Sequence, residues 1–365
     1  MPDISNCIVL IVDDTETNID ILVDTLEDSY ELRVAMDGET ALKDVKEYPP
    51  DIILLDIMMP GMDGYEVCAK LKSDGETSNI PIVFLTAMSE ENDEEKGLEL
   101  GAIDYITKPF SPKLVKSRVK NHLELKMYQD KLEELVKERT KELRQTQEVV
   151  IESMANLAEY RDPETGGHIQ RTKNYVKLLA EKLKNHPKFA EYLDEKSIEL
   201  LYQSAPLHDI GKIAIPDEVL LKPGKLTDEE FDLMKRHTVY GKNAIQTSEK
   251  KLGKNSFLIY AREMAETHQE KWDGSGYPCG LKRNEIPISG RLMALADVYD
   301  ALISKRVYKP SFSHKKAVDI IKESKDKHFD PDIVDAFLEI ENEFRKIAYE
   351  FADCEEEKNN LLEPI

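Results

Sequence analysis

Residues 51–64 read DIILLDIMMPGMDG: a near-continuous apolar run that stops on a carboxylate, Asp56, before a Pro-Gly turn and an amphipathic stretch from Gly64 to Ser73. An apolar run without alternation suits a strand buried on both faces, and such strands belong to parallel sheets covered by helices. The same unit recurs outward from it. Further runs lie at Cys7–Val12, Pro81–Leu85 and Ile103–Ile106, helical patterns such as Asn18–Glu27 lie between runs, and Glu31–Ala35 reads as an edge-like strand. The expectation for residues 1–122 is an α/β, doubly wound parallel sheet.

Polar residues follow these runs. Asp13 and Asp14 come after the first, Asp56 after the third, Thr86 after the fourth, and Lys108, with Pro109 next, after the fifth. Ligands of open parallel sheets bind at the carboxyl ends of the strands, so three carboxylates, a hydroxyl and an ammonium are expected in one crevice. Clustered carboxylates repel unless a cation sits among them. Mg²⁺ suits this, because it takes a few carboxylates, some waters and a phosphate oxygen. Asp56 could then attack a phosphoryl donor, with Lys108 and Thr86 binding the phosphoryl oxygens.

With Val12-Asp-Asp14, Leu55-Asp-Ile-Met-Met-Pro-Gly-Met-Asp-Gly64, Leu85-Thr-Ala87 and Tyr105-Ile-Thr-Lys-Pro-Phe110 in place, residues 4–122 resemble a response-regulator receiver domain of flavodoxin-like fold. The resemblance implies that Asp56 is the phosphoacceptor and a sensor histidine kinase the partner. It implies that Asp13, Asp14, Asp56 and the Met58 carbonyl hold Mg²⁺. Thr86 and Tyr105 would be a switch pair beside Lys108, and the Lys108–Pro109 bond would be cis.

From Leu123 to Val150 the chain is rich in Lys, Glu, Leu and Gln and has no Gly or Pro. Leu125, Tyr128, Leu132, Leu135, Leu143 and Val149–Val150 partly follow a heptad that Arg139 and Thr146 interrupt. A helical, coiled-coil-like linker over 123–152 and a homodimer along it are the expectation. Residues 153–350 read as an all-α domain, with helical stretches at Ile151–Arg161, Gln170–Leu183, Lys196–Leu207, Asp228–Thr247 and Ser256–Thr267, then near Gly290–Ser304, Lys315–Ser324 and Pro331–Ala348. The acidic tail 351–365 reads as frayed from Cys354 to Ile365.

Four of the eight histidines stand in distinctive strings: Glu164-Thr-Gly-Gly-His168, His208-Asp209, His237 and His268-Gln269, with Asp297 further on. His208-Asp209 falls in a helical stretch. Imidazole with carboxylate favours Fe, Mn, Zn or Ni over Mg or Ca, and two such ions close together can clamp a phosphodiester. His122, His186, His314 and His328 carry no assigned chemistry, and His186 and His314 read as surface residues.

Residues 150–350 resemble the HD-GYP family of cyclic di-GMP phosphodiesterases, a branch of the HD phosphohydrolases. The carrying motifs are Arg161-Asp-Pro-Glu-Thr-Gly-Gly-His168, His208-Asp-Ile-Gly-Lys212, Ile215-Pro-Asp217, His237, His268-Gln-Glu-Lys-Trp-Asp-Gly-Ser-Gly-Tyr-Pro278, and Ala296-Asp-Val-Tyr-Asp-Ala-Leu302 with Arg306-Val-Tyr-Lys309. The resemblance implies two or three divalent metals, Fe or Mn first, with Zn or Ni as alternatives. His168, His208, Asp209 and Asp297 would hold one; Asp209, His237 and His268 a second; and Glu164 would serve a third or tighten the first. Asp209 and Lys212 would be catalytic, with Lys212 on the scissile phosphate. Tyr277 would shape the ligand loop, and Asp300, Arg306 and Lys309 would contact the guanine nucleotide. The product would be pGpG, and in some members GMP.

The chain departs from the family where His-His-Glu is usual, since Gln269 replaces the second histidine. An amide oxygen is a weaker ligand for these metals than imidazole. A site that senses cyclic di-GMP without hydrolysing it, or a phosphohydrolase preferring pGpG or another cyclic dinucleotide, are the alternatives. Arg306-Val where Arg-Pro is usual keeps the contacting residue.

The net charge of −22 excludes a broad basic surface for DNA. It also disfavours anionic membranes, and no apolar run approaches a membrane span. Four scattered cysteines without CxxC and an N-terminus unlike a signal peptide read as a cytoplasmic protein.

Overall fold

The computed structural model describes residues 4–87, 97–159, 167–252, 257–305 and 311–362. The chain divides into two compact units, Met1–Glu142 and Leu143–Ile365.

Among the described residues the first unit holds five strands, β1 (Ile8–Val12), β2 (Glu31–Ala35), β3 (Ile52–Asp56), β4 (Ile82–Thr86) and β5 (Asp104–Thr107), in the order β2-β1-β3-β4-β5. All pairings are parallel. β3 and β4 are wholly buried and β2 is an edge, as their composition predicts. Helices α1 (Glu16–Leu26), α2 (Gly38–Glu47) and α3 (Gly64–Ser73) connect β1 to β2, β2 to β3 and β3 to β4. Asp37 and Asp63 cap α2 and α3 by accepting from the N–H of Thr40 and Glu66. Gly64 has no room for a side chain, because a Cβ there would lie 2.2 Å from the Asp56 carbonyl oxygen. Two apolar clusters pack the sheet, one on Leu10, Ile53, Leu55 and Phe84, the other on Ile11, Leu22, Leu54 and Val83.

A single helix, α4 (Pro112–Glu159), runs for 48 residues. Pro112 occupies its first position, where the missing N–H costs nothing, and neither Gly nor Pro follows. The linker expected over 123–152 is thus part of a longer helix. Leu125, Leu132, Val136 and Leu143 on it are exposed.

In the second unit α5 (Gly167–Leu183), α6 (Glu195–Ser204), α7 (Asp217–Leu220), α8 (Asp228–Leu252), α9 (Leu258–Thr267), α10 (Ile288–Ile303), α11 (His314–Glu323), α12 (Pro331–Glu339), α13 (Glu341–Glu350) and α14 (Glu355–Leu362) follow in order. Their core centres on Tyr175, Tyr299, Phe337 and Phe344, with the Tyr175 and Phe344 rings stacked 4.4 Å apart.

Three expectations are corrected here. His208-Asp209 is not in an α-helix but between two 3-10 turns, Ala205–Leu207 and Ile210–Ala214. Pro206 ends α6 early, and the backbone tightens to i→i+3 bonds, His208 N to Ala205 O and Lys212 N to Asp209 O. His314 is buried, and its Nδ1 is 2.8 Å from the Tyr299 hydroxyl. The tail is docked rather than frayed: α14 sends Leu361 into the core, and buried Glu357 accepts from the N–H of Lys305 and Asp353. No helix among the described residues is long and apolar enough to cross a membrane.

Candidate functional site

The first unit gathers its five polar residues at one end of the sheet. Asp13, Asp14 and Asp56 bring a carboxylate oxygen each within 4.8 Å of one another. Lys108 Nζ lies 2.8 Å from Asp13 Oδ2 and 3.0 Å from Asp56 Oδ1. Asn18, which no motif flagged, donates its amide to Asp13 at 2.9 Å. Burial, and next to it the Asp13 charge, push the Asp56 carboxyl up despite Lys108. One ammonium is insufficient for three carboxylates, so the donor set fits a divalent cation of the Mg²⁺ kind. Thr86 is buried at the end of β4 and Tyr105 lies half-buried on β5; the Lys108–Pro109 bond is cis. Met58 has an exposed side chain, and its N–H donates to Asp56.

The second unit builds a larger cluster from five segments. His168 comes from the start of α5, His208 and Asp209 from the 3-10 turns, His237 from α8, His268 from the end of α9 and Asp297 from α10. Gly211 permits the turns to lie against α8, since a Cβ there would meet the His237 carbonyl oxygen at 1.9 Å. The donor atoms form two groups, His168 with His208 and Asp297, and Asp209 with His237 and His268. Asp209 joins them. Its Oδ2 is 3.4 Å from His208 Nε2, and its Oδ1 is 3.4 Å from Nε2 of both His237 and His268.

Every imidazole is held by its other nitrogen. Nδ1 of His208, His237 and His268 lies 2.9, 2.7 and 2.9 Å from the carbonyls of Ala205, Met234 and Met264. His168 Nδ1 lies 2.8 Å from Asp300 Oδ2. A carbonyl only accepts, so each Nδ1 must carry the proton and each neutral ring turns an Nε2 lone pair inward. These lone pairs face each other, His168 to His208 at 3.5 Å and His237 to His268 at 3.4 Å. Asp209 Oδ1 is buried among them and accepts no hydrogen bond among the described residues. Acceptors facing acceptors without a proton between them fit cations, and the N/O donor set suits Fe, Mn, Zn or Ni.

The electrostatics agree. Burial, partly offset by Asp209, lowers His237 to about 4 and keeps it neutral. Burial opposes protonation of His208 too, but Asp209 and Asp297 outweigh it and raise its pKa. Burial would raise Asp209, yet Lys212 and then His208 hold it well below the usual carboxylate range. Lys212 Nζ is 2.8 Å from Asp209 Oδ2. Tyr277 is half-buried at the rim, its ring 6.3 Å from that of His237. Gln269 is half-buried; its carbonyl accepts from Tyr277 N–H, and its side chain makes no hydrogen bond among the described residues.

Asp300 requires correction. It is 1 % exposed, behind His168 rather than facing a ligand. It accepts from Arg171 Nε at 2.6 Å and Nη2 at 3.0 Å as well as from His168. Burial would raise its pKa, but Arg171 and His168 hold it far below the ordinary value. Arg171, also 1 % exposed, goes on to the Phe351 carbonyl and Asp353, so a chain of contacts runs from the tail to His168. Sequence reasoning missed Arg171, whose signal was its i+3 spacing from His168. It also missed Glu270, whose carboxylate accepts from the N–H of Cys279, Gly280 and Leu281 and so templates the loop after Tyr277. Glu159 was missed as well: it is buried, with Oε1 3.8 Å from His168 Nε2. Glu164, Arg306 and Lys309 lie outside the described residues.

Two family models match the chain, "Response regulator receiver domain" over residues 9–120 and "HD domain" over residues 152–333. A Vibrio cholerae protein named "Probable cyclic di-GMP phosphodiesterase" is 49% identical over 97% of this chain and 82% of its own length. The "Cyclic di-GMP phosphodiesterase response regulator RpfG" of Xanthomonas campestris is 35% identical over 94% of this chain and 90% of its own. A third relative, the "3'3'-cGAMP-specific phosphodiesterase 2" of Vibrio cholerae, is 40% identical over 58% of this chain and 38% of its own.

Proposed function

This chain belongs to the cyclic di-GMP phosphodiesterase response regulators, which join a receiver domain to an HD domain, and on that premise we propose that it hydrolyses cyclic di-GMP to pGpG under control of Asp56. One observation carries the chemistry: six side chains from five segments converge in two groups of donor atoms, with Asp209 of one group 3.4 Å from His208 of the other. Bound divalent cations would supply Lewis acidity and a water made nucleophilic at neutral pH. His168, His208, Asp209 and Asp297 would hold one, and Asp209, His237 and His268 another, with Gln269 weakening the second and Glu164 serving a third or tightening the first.

The residues then divide the work. A water oxygen adds to phosphorus, the bond from phosphorus to the 3′ oxygen breaks, and that oxygen leaves with a proton. Lys212, freed from Asp209, compensates the charge that grows on the phosphoryl oxygens. Tyr277 forms the rim on which a nucleotide rests, and Arg306 and Lys309 are proposed to contact guanine. Asp56 is the phosphoacceptor for a sensor histidine kinase, with Mg²⁺ held by Asp13, Asp14, Asp56 and the Met58 carbonyl, and with Thr86, Tyr105 and Lys108 answering the phosphoryl group.

The exposed apolar residues Leu125, Tyr128, Leu132, Leu135, Leu143, Val149 and Val150 support a homodimer along α4. All four cysteines are thiols rather than disulfides, which supports a reducing compartment, the cytoplasm. The test is chromatography of cyclic di-GMP incubated with anaerobically purified, Mn²⁺- or Fe²⁺-loaded protein. Appearance of pGpG is the expected result; intact substrate with bound nucleotide by calorimetry makes the protein a sensor. The cGAMP-specific relative favours a second reading, a mixed cyclic dinucleotide as preferred substrate. Competition between the two dinucleotides decides it.

A further inference from the structure

The last two turns of α4 reach the histidine–aspartate cluster. Ile151, Ala155 and Ala158 are buried at i, i+4 and i+7, so one helix face is seated. Ile151 shares an apolar cluster with Leu207 and Ile210, the residues that bracket His208 and Asp209. Glu152 pairs with Lys173, whose ammonium sits 4.8 Å over the Tyr202 ring. Glu159, the final residue of the helix, is 5 % exposed, with Oε1 3.8 Å from His168 Nε2. That nitrogen is the one facing Asp297 Oδ1 at 3.9 Å and His208 Nε2 at 3.5 Å.

We propose that Glu159 is a ligand of the cation at His168, and that the seating of α4 sets how tightly that cation is held. Apart from Asp209, which lies 3.4 Å from His208, the His168 group contains one anion, Asp297, beside two imidazoles. A second carboxylate supplies charge that neutral donors lack, so its presence or withdrawal changes affinity strongly. Little movement is required. A slip by one residue displaces a helix by ~1.5 Å along its axis and turns it by about 100°. The same slip drags Ile151 across Leu207 and Ile210. The helix starts at Pro112, four positions after Lys108, whose ammonium touches Asp56. Phosphorylation would therefore be read out as metal affinity before it is read out as rate. This regulatory role rests on the phosphodiesterase reading, whereas the ligand role does not.

The test is Mn²⁺ binding to chelator-stripped full-length protein, in excess Mg²⁺ to fill the receiver pocket, with and without beryllofluoride. Wild type, Glu159→Gln, Glu159→Asp and Glu152→Gln are compared after equal thermal transitions establish that each is folded. Glu159→Gln is expected to weaken one Mn²⁺ step about tenfold or more. Glu159→Asp, which keeps the charge but shortens the arm by a methylene, is expected to fall between. Beryllofluoride is expected to shift that step in wild type, not in Glu159→Gln, and less in Glu152→Gln. A Glu159→Gln isotherm like wild type overturns the ligand role, and a wild-type isotherm indifferent to beryllofluoride overturns the coupling. If Mn²⁺-loaded wild type leaves cyclic di-GMP intact while Glu159→Gln still loses affinity, the phosphodiesterase reading fails and the ligand role stands.

Discussion

Asp300→Asn removes one charge from a buried network without changing its shape. The wild-type carboxylate takes two bonds from Arg171, one from His168 Nδ1 and a longer one from Ser304 Oγ at 3.3 Å. Breaking a buried ion pair by removing one partner typically costs about 3–5 kcal/mol. Arg171 keeps Asp353 and the Phe351 carbonyl, which sets the expectation at the lower end, about 3 kcal/mol. For a unit of this size that corresponds to a melting shift of about 6–12 °C. The sign with pH follows from the depressed Asp300 pKa. The wild-type advantage is complete above the ordinary carboxylate value of about 3.9 and is lost as pH falls from there toward the folded value. The gap between wild type and variant therefore narrows as pH falls below that value. The amide also offers His168 Nδ1 a weaker acceptor, so metal affinity should drop by about 10- to 100-fold. Calorimetric melting of metal-free protein from pH 7 to pH 3, with Mn²⁺ titration at pH 7, measures both. Had Asp300 instead contacted the nucleotide, the variant would melt like wild type, bind metal normally and show only a raised KM. That outcome would refute the placement argued here.

Gln269→His should add metal on the Asp209, His237 and His268 side, read by elemental analysis; an unchanged count removes the metal role argued for position 269. Asp56→Asn should abolish labelling by acetyl phosphate, and persistent label would place the acceptor elsewhere. Glu270→Gln should loosen the loop after Tyr277, because three N–H groups lose a charged acceptor worth about 1.5–3 kcal/mol each. Hydrogen exchange at Cys279–Leu281 should accelerate, with KM rising more than kcat falls; unchanged exchange counts against it. Truncation after Ala352 removes Asp353, Glu357 and Leu361 and should lower the melting point of the second unit, whereas an unaltered transition would restore the frayed tail.

The sheet was legible because strands buried on both faces cannot hide their apolar runs, and because Asp56 and Thr86 close β3 and β4. The histidines were legible as a set for a similar reason: each stands in a string that local structure alone does not demand. What sequence could not supply was direction. Asp297 and Asp300 share one face of α10, yet one faces the inward donor atoms and the other the back of His168, where Arg171 on another helix holds it. Glu159 looked like any glutamate of a charged helix, and Glu357 like part of a solvated tail, until neighbours far along the chain gave each a partner. Pro206 was a local sign that α6 would stop before His208, and it was outweighed by the helical pattern around it.

The anchoring of the four imidazoles has a consequence for inheritance. Three of them lean on main-chain carbonyls, which no codon change can delete. His168 leans on a side chain, and that side chain on Arg171 and, through it, on the tail. Drift in the surrounding sequence can therefore detune one half of the centre while leaving the other intact, so descendants of this protein should differ first, and most, in what they hold at His168.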